Sequence, residues 1–226
     1  MMNRCLLCQE RILTKSDVLD ILGIRTTQPA VCAQCLTQFE TIGERICFGC
    51  GRLSHDDTLC QDCQRWQSNG KQLLEHRALY RYNAAMKDYM QRYKFSGDYA
   101  LRAVFRLVLL QHLKDYSDYI KVPIPISNQT WLTRGFNQVT GLLEGCQYQE
   151  LLSVRAHQKA HQSQLNRQKR MTRKQPFELI DGTINLQGKS ILLIDDIYTT
   201  GNTMYYAADL LYSVGAQAVR SVSLAR

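Results

Sequence analysis

The stretch SILLIDDI, residues 190–197, narrows the fold more than any other part of the chain. Four large apolar residues, Ile191 to Ile194, follow one another without alternation. A strand with one face in water alternates polar and apolar residues, so an unbroken run suits a strand covered on both faces. Two acids, Asp195 and Asp196, end the run, and Tyr198-Thr199-Thr200-Gly201-Asn202-Thr203 follows. In open sheets with helices on both faces, ligands bind at the carboxyl ends of the strands. Ionised carboxylates there accept hydrogen bonds from neighbouring hydroxyls, such as those of a ribose. A Gly- and Thr-rich turn that opens a helix presents unpaired N–H groups and a favourable dipole to a phosphate. No Gly-Lys-Ser/Thr follows, so this is not a P-loop. The spacing predicts a site for a phosphorylated ribose, with hydroxyls on Asp195 and Asp196 and phosphate on Thr199, Thr200, Gly201, Asn202 and Thr203.

The rest of the C-terminal part supports such a sheet. LEHRALYRY, YIKVPIPIS and VRSVSLAR read as further strands. AAMKDYMQRYKF has helical spacing, with Met86, Tyr89, Met90 and Tyr93 on one face. DYALRAVFRLVLLQHLKDY reads as a second helix, and TRGFNQVTGLLEGCQ starts another after its Gly. TMYYAADLLYSVGA is a helix closed by Gly215. Alternating strands and helices predict an α/β domain with a mostly parallel sheet.

The N-terminal part is different. Eight of the nine cysteines form CxxC pairs before residue 64: Cys5/Cys8, Cys32/Cys35, Cys47/Cys50 and Cys60/Cys63. Segment 1–66 has little continuous apolar patterning, so metal would supply its folding energy. Four pairs make two tetrahedral four-thiolate sites, the donor set of structural Zn²⁺. Sequential pairing is the simplest; an interleaved one, first pair with third and second with fourth, is also open. The expected division is a metal module at 1–66 and an α/β domain at 67–226. Cys146, outside any pair, reads as a small core residue.

Lys and Arg outnumber Asp and Glu by 28 to 20, a net charge of +8 that favours anionic partners. No apolar run reaches the roughly 18 residues of a membrane span, and the start lacks a signal-peptide core. The expected location is the cytoplasm. The segment RAHQKAHQSQLNRQKRMTRK, 155–174, has no acid. It reads as a mobile loop or solvated helix close to the phosphate site, with Arg167, Lys169, Arg170 and Arg173 as candidate contacts to DNA phosphates or pyrophosphate.

ILLIDDIYTTGNT resembles the signature of type I phosphoribosyltransferases, which bind phosphoribosyl pyrophosphate (PRPP). Together with the cysteine module, YKFSGDY, VPIPIS and TRGFNQ, the chain resembles the ComF family of late competence proteins over nearly its whole length. The resemblance implies an open parallel sheet with helices on both faces. It implies that Asp195 and Asp196 hold the ribose of PRPP, that residues 199–203 cradle its 5′-phosphate, and that Mg²⁺ accompanies the pyrophosphate. It makes Lys94 and Arg134 candidate phosphate contacts. It also implies a role in natural transformation, handling single-stranded DNA beside a helicase encoded alongside. A second expectation is a transferase that moves phosphoribose from PRPP to an acceptor. The residues show no recognisable hood for that acceptor, unless the cysteine module serves as one.

Overall fold

The computed structural model describes residues 4–12, 29–54, 58–155, 175–182 and 184–226. Its centre is a four-stranded parallel sheet. The strands are β1 (Arg77–Tyr80), β2 (Ile120–Pro123), β5 (Ser190–Ile197) and β6 (Ala218–Ala225), in the order β1-β6-β5-β2. Two short strands, β3 (Leu152–Val154) and β4 (Phe177–Leu179), pair antiparallel apart from it. The helices in chain order are α1 (Ala33–Leu36), α2 (Gln61–Ser68), α3 (Ala84–Phe95), α4 (Arg102–His112), α5 (Asn128–Arg134), α6 (Gln138–Leu142) and α7 (Asn202–Ser213).

β5 explains why the sheet has two covered faces. Ile191 and Leu193 enter one hydrophobic cluster, with Val122 and α7 residues Met204, Ala207, Ala208 and Leu211. Leu192 and Ile194 enter the other, with α3, α4 and α6. All four are fully buried. A continuous apolar run thus serves two cores at once, as a period of two demands.

α3 spans the predicted residues. Asn83 caps it by accepting from the N–H of Met86 at 3.0 Å, and Met86, Tyr89, Met90 and Tyr93 are buried. The second helix is shorter than its apolar pattern suggests. Its ends tighten into 3₁₀ turns at Tyr99–Leu101 and Leu113–Tyr116, leaving α-helix over Arg102–His112. Around Gly135 the chain makes two helices rather than one. α5 closes at Gly135, whose φ is 81°, and α6 starts afresh at Asn137, whose side chain accepts from Val139 N–H at 2.8 Å. α5 carries no periodic apolar face and buries none of its residues.

The cysteine segment is built twice on one template. The N–H of Cys5 donates to Glu10 O at 2.9 Å, and that of Cys47 to Arg52 O at 2.7 Å. The N–H of Gln9 donates to Cys5 O, and that of Gly51 to Cys47 O, both at 2.9 Å. Gln9 and Gly51 share a left-handed φ, 63° and 67°. Cys32 and Cys60 each stand at the start of a helix, α1 and α2.

The two copies attach differently. The first rests on α3, where Arg92 donates to the carbonyls of Leu6 and Leu7 at 2.9 and 3.0 Å. The second joins the main core: Cys47, Cys50 and Cys63 pack in the cluster of Ile191 and Leu193. α2 runs on past residue 66, and Trp66 stacks on Tyr205 of α7 with ring centroids 4.2 Å apart.

His76, just before β1, is wholly buried. Its ring nitrogens lie 2.9 and 3.0 Å from the hydroxyls of Ser221 and Ser223 on β6, and its ring packs on Tyr198. Burial first, then the charges of Arg226 and Arg77, hold its pKa well below the ordinary histidine value. The unfolded chain therefore binds a proton below about pH 6.5 that the folded chain refuses. Stability contributed by His76 should fall as pH drops from 7 to 5, by up to about 1.4 kcal/mol per pH unit. In urea melts across this range, His76→Asn should reduce that slope relative to the unsubstituted protein.

Candidate functional site

The carboxyl ends of the parallel strands gather Asp195, Asp196 and the turn 198–201 on one edge. Asp195 and Asp196 are 9% and 3% exposed. Successive strand residues face opposite sides, and the two acids have different surroundings. Asp196 forms an ion pair with Lys94 of α3. It also accepts from Gln138 Nε2 at 3.2 Å. Gln138 is held in turn by Arg134, which donates to its Oε1, and its carbonyl accepts from Tyr93 Oη at 2.9 Å. Asp195 accepts the N–H of Asp196 at 2.9 Å.

These surroundings separate the two acids. Burial pushes Asp196 up, but the Lys94 charge and hydrogen bonds from Asp195, Lys94 and Gln138 outweigh it and hold its pKa below the usual carboxylate value. Burial, then the neighbouring charge of Asp196, drives Asp195 well above that value. The two adjacent acids are therefore shifted in opposite directions, Asp196 towards the charged form and Asp195 towards the neutral one. Lys94 and Arg134, brought in from distant helices, both converge here. Gln138 was missed; its signal was its place one residue after the N-cap Asn137, at the foot of TRGFNQ.

The following turn is shaped by Gly201. Its φ is 87°, and an added Cβ would run into Tyr198 Oη. It caps the 12-residue α7 without a side-chain bond, so the first-turn N–H groups are left for a ligand. Thr199 and Thr200 are exposed. The carbonyl of Thr200 accepts Trp66 Nε1–H at 3.2 Å, so the second cysteine module braces this turn.

Beside Thr199 opens a cavity of about 510 Å³ lined by Arg52, Arg81, Arg226, Tyr82, Tyr198 and Leu53. Arg226 lies over the Tyr198 ring at 4.4 Å, and its buried Nη1 has no hydrogen-bond partner.

The basic segment begins at Arg155, whose N–H donates to Pro176 O at 2.9 Å, continuing the β3–β4 ladder. Arg167, Lys169, Arg170 and Arg173 lie outside the described residues. Their stem is described: β4 packs beside α7, and Gln175 Nε2 donates to Tyr206 O at 2.8 Å.

The thiols settle into sequential groups. Cys5, Cys8, Cys32 and Cys35 form one, and Cys47, Cys50, Cys60 and Cys63 the other, with sulfurs within 4.8 Å of one another in each. In each, the first sulfur accepts a backbone N–H: Cys5 from Cys32 at 3.4 Å and Cys47 from Cys60 at 3.3 Å. Cys50, chiefly through its hydrogen bond from Cys63, is drawn down to about 5, while Cys63 is pushed far up. Both groups can hold a metal ion, and four soft donors exclude the oxygen-seeking Mg²⁺ and Ca²⁺. Gly49 leaves the second cage open, because a Cβ there would stand 2.7 Å from Cys63 Sγ.

Comparison with known proteins bears on this geometry. A phosphoribosyl transferase domain model matches residues 132–226, from the end of α5 to the last strand. Competence protein ComFC of Streptococcus pneumoniae is 42% identical over 226 residues, covering 99% of this chain and 100% of that protein. The chain belongs to the ComFC family. Competence protein ComFC of Bacillus subtilis is 31% identical over 98% of this chain and 94% of its own length. DNA utilization protein YhgH of Escherichia coli is 27% identical, over 88% of this chain and 98% of its own. The fold is accordingly of the type I phosphoribosyltransferase kind, with helices on both sheet faces and N-terminal cysteine clusters able to bind metal. No helix among the described residues is long and apolar enough to cross a membrane.

Metal analysis of the purified chain should return two equivalents, and Cys63→Ser should return one. Because Cys63 is buried in the main core and Cys8 is exposed, that substitution should also lower the thermal midpoint more than Cys8→Ser in the first group. Gly201→Ala should cost about 1–3 kcal/mol of stability by forcing a side chain into left-handed backbone, read by chemical denaturation.

Proposed function

We propose that this ComFC-family protein serves natural transformation by binding single-stranded DNA and PRPP, in the cytoplasm and alongside a DNA-uptake helicase. The acid pair at the end of β5, feeding directly into the Gly201-capped helix, carries this reading. Asp195 and Asp196 would meet the two ribose hydroxyls. The N–H groups of the first turn of α7 and the hydroxyls of Thr199, Thr200 and Thr203 would take the 5′-phosphate. Asn202 and Gly201 complete that turn. Lys94 and Arg134 lie where they can offset added negative charge. Mg²⁺ would arrive with the pyrophosphate and neutralise it. Zn²⁺ would fill both cysteine groups and, in the second, hold α2 and Trp66 against the phosphate turn.

The family's competence role and the DNA utilization name of the Escherichia coli relative support the DNA half of the reading. So does the acid-free segment 155–174, whose stem packs on the same helix α7 that opens at the phosphate turn. Arg167, Lys169, Arg170 and Arg173 would contact the strand's phosphates.

One observation favours a second reading. The arginine-lined cavity next to Thr199 has the size and the charge to hold an anionic acceptor beside the ribose. A transferase would then release pyrophosphate when PRPP is supplied with that acceptor.

Calorimetric titration with PRPP and Mg²⁺ tests the first reading. Asp195→Asn should weaken binding at least tenfold with the fold intact by circular dichroism. Asp196→Asn should also weaken it, and should destabilise the fold by about 3–5 kcal/mol, since it strands a buried Lys94. PRPP affinity unchanged in Asp195→Asn would remove the ribose assignment. For DNA, neutralising Arg167, Lys169 and Arg170 together should flatten the log–log salt slope by about 2, from roughly 0.7 per phosphate contact.

A further inference from the structure

α5 presents a feature that the sheet core does not explain. None of its residues is buried, yet it carries Trp131 and Leu132, 53% and 84% exposed. Local caps hold it: Ser127 Oγ accepts from Thr130 N–H at 3.1 Å, and Gly135 ends it in a left-handed turn. One turn after Trp131, on the same face, Arg134 reaches over the ring of Phe95 at 5.6 Å. Phe95 closes α3 and is 71% exposed. Its chain neighbour is Lys94, the partner of Asp196. Tyr99 and Phe136 form a floor, with centroids 4.8 Å apart, and Phe136 packs on buried Tyr93 at 5.3 Å.

The charge on this face is one-sided. Arg134 has no carboxylate within ion-pair distance among the described residues. The acid whose charge it feels, Asp196, is already paired with Lys94, and Asp98, three residues past Phe95, is matched with Arg92 at 3.6 Å. Exposed rings beside a guanidinium that has no carboxylate partner suit a chain that alternates flat π-faces with negative charges. An apolar helix would bury the Arg134 charge with no carboxylate to balance it, and a second copy of this +8 chain would bring like charge to like.

We propose that Phe95, Trp131 and Arg134 form a stacking platform for a single-stranded nucleic acid, with bases on the two rings and a phosphate on the guanidinium. It rests on the DNA-binding reading above and places part of the strand at the lip of the ribose–phosphate site. Stacking tolerates any base, so the platform holds a strand without reading its sequence.

The test uses the full chain and two oligonucleotides of equal length, oligothymidylate and its abasic counterpart, at one fixed salt concentration. Phe95→Ala and Trp131→Ala should each weaken oligothymidylate binding roughly fivefold or more, leave abasic binding unchanged, and Trp131→Phe should keep most of the affinity. Equal losses on both strands, or no loss on oligothymidylate, would overturn the platform while leaving DNA binding itself standing. Failure of the unsubstituted chain to bind either strand at low salt would defeat the DNA-binding reading and the platform with it. Sedimentation velocity gives an independent arm: a dimer that Trp131→Ala converts to monomer would assign this face to a second copy and overturn the proposal.

Discussion

A buried charge needs a partner, and Asp196 shows how much of this structure follows from that. A carboxylate so far from water is tolerable only with a cation and hydrogen bonds at hand. Lys94 supplies the cation from the end of α3, and Gln138 a hydrogen bond from the start of α6. To put Lys94 there, α3 must bury the Met86, Tyr89, Met90 and Tyr93 face against the sheet. To put Gln138 there, Asn137 must restart the chain after Gly135, tied back to the β2 exit by its bond to Ile124 O at 3.1 Å. One ion pair thus fixes the relative placement of a strand and two helices. Its neutral sum lets the edge accept a polar ligand without first expelling charge.

The second cysteine module is part of the same construction. Its sulfurs sit among apolar residues of the sheet core, and Trp66 bridges from α2 to the phosphate turn. The first module has the same knuckle but packs Leu6, Leu7 and Val31 against the other cluster, that of Leu192 and Ile194, with Arg92 of α3 holding its carbonyls. Two copies of one unit have therefore taken two mechanical roles. One behaves as a core element whose loss reaches the site, and the other is seated on the back of the helix that carries Lys94.

Sequence read most of the sheet correctly because the signals there are local. An apolar run, an acid pair and a Gly-led turn each mean the same thing in isolation as in the fold, and SILLIDDI and AAMKDYMQRYKF form their elements over the expected residues. The misses have a common cause. α5 and the β3–β4 pair are short, carry no periodic apolar face, and exist through caps and cross-strand partners far apart in sequence. Likewise, nothing local could show that adjacent Asp195 and Asp196 shift in opposite directions, since burial raises the one and Lys94, about a hundred residues away, draws the other down. The pairing of the cysteines was open for the same reason: spacing defines pairs, but only the fold brings pair to pair. The repeat of the knuckle was hidden by unlike side chains, Gln9 and Gly51, doing one backbone task.

The elements around the edge formed by Asp195, Asp196 and the Gly201 turn share another property: each reaches it from a different part of the chain. The metal module braces the turn from behind, the stem of the basic segment packs on α7, and α5 and Phe95 stand at the opposite lip. A ligand filling the turn would contact the N-terminus of α7, and both Trp66 and Gln175 touch α7. In such an arrangement a small phosphorylated ligand and a long polyanion need not share atoms to influence one another. They need only compete for, or cooperate in, fixing the same helix.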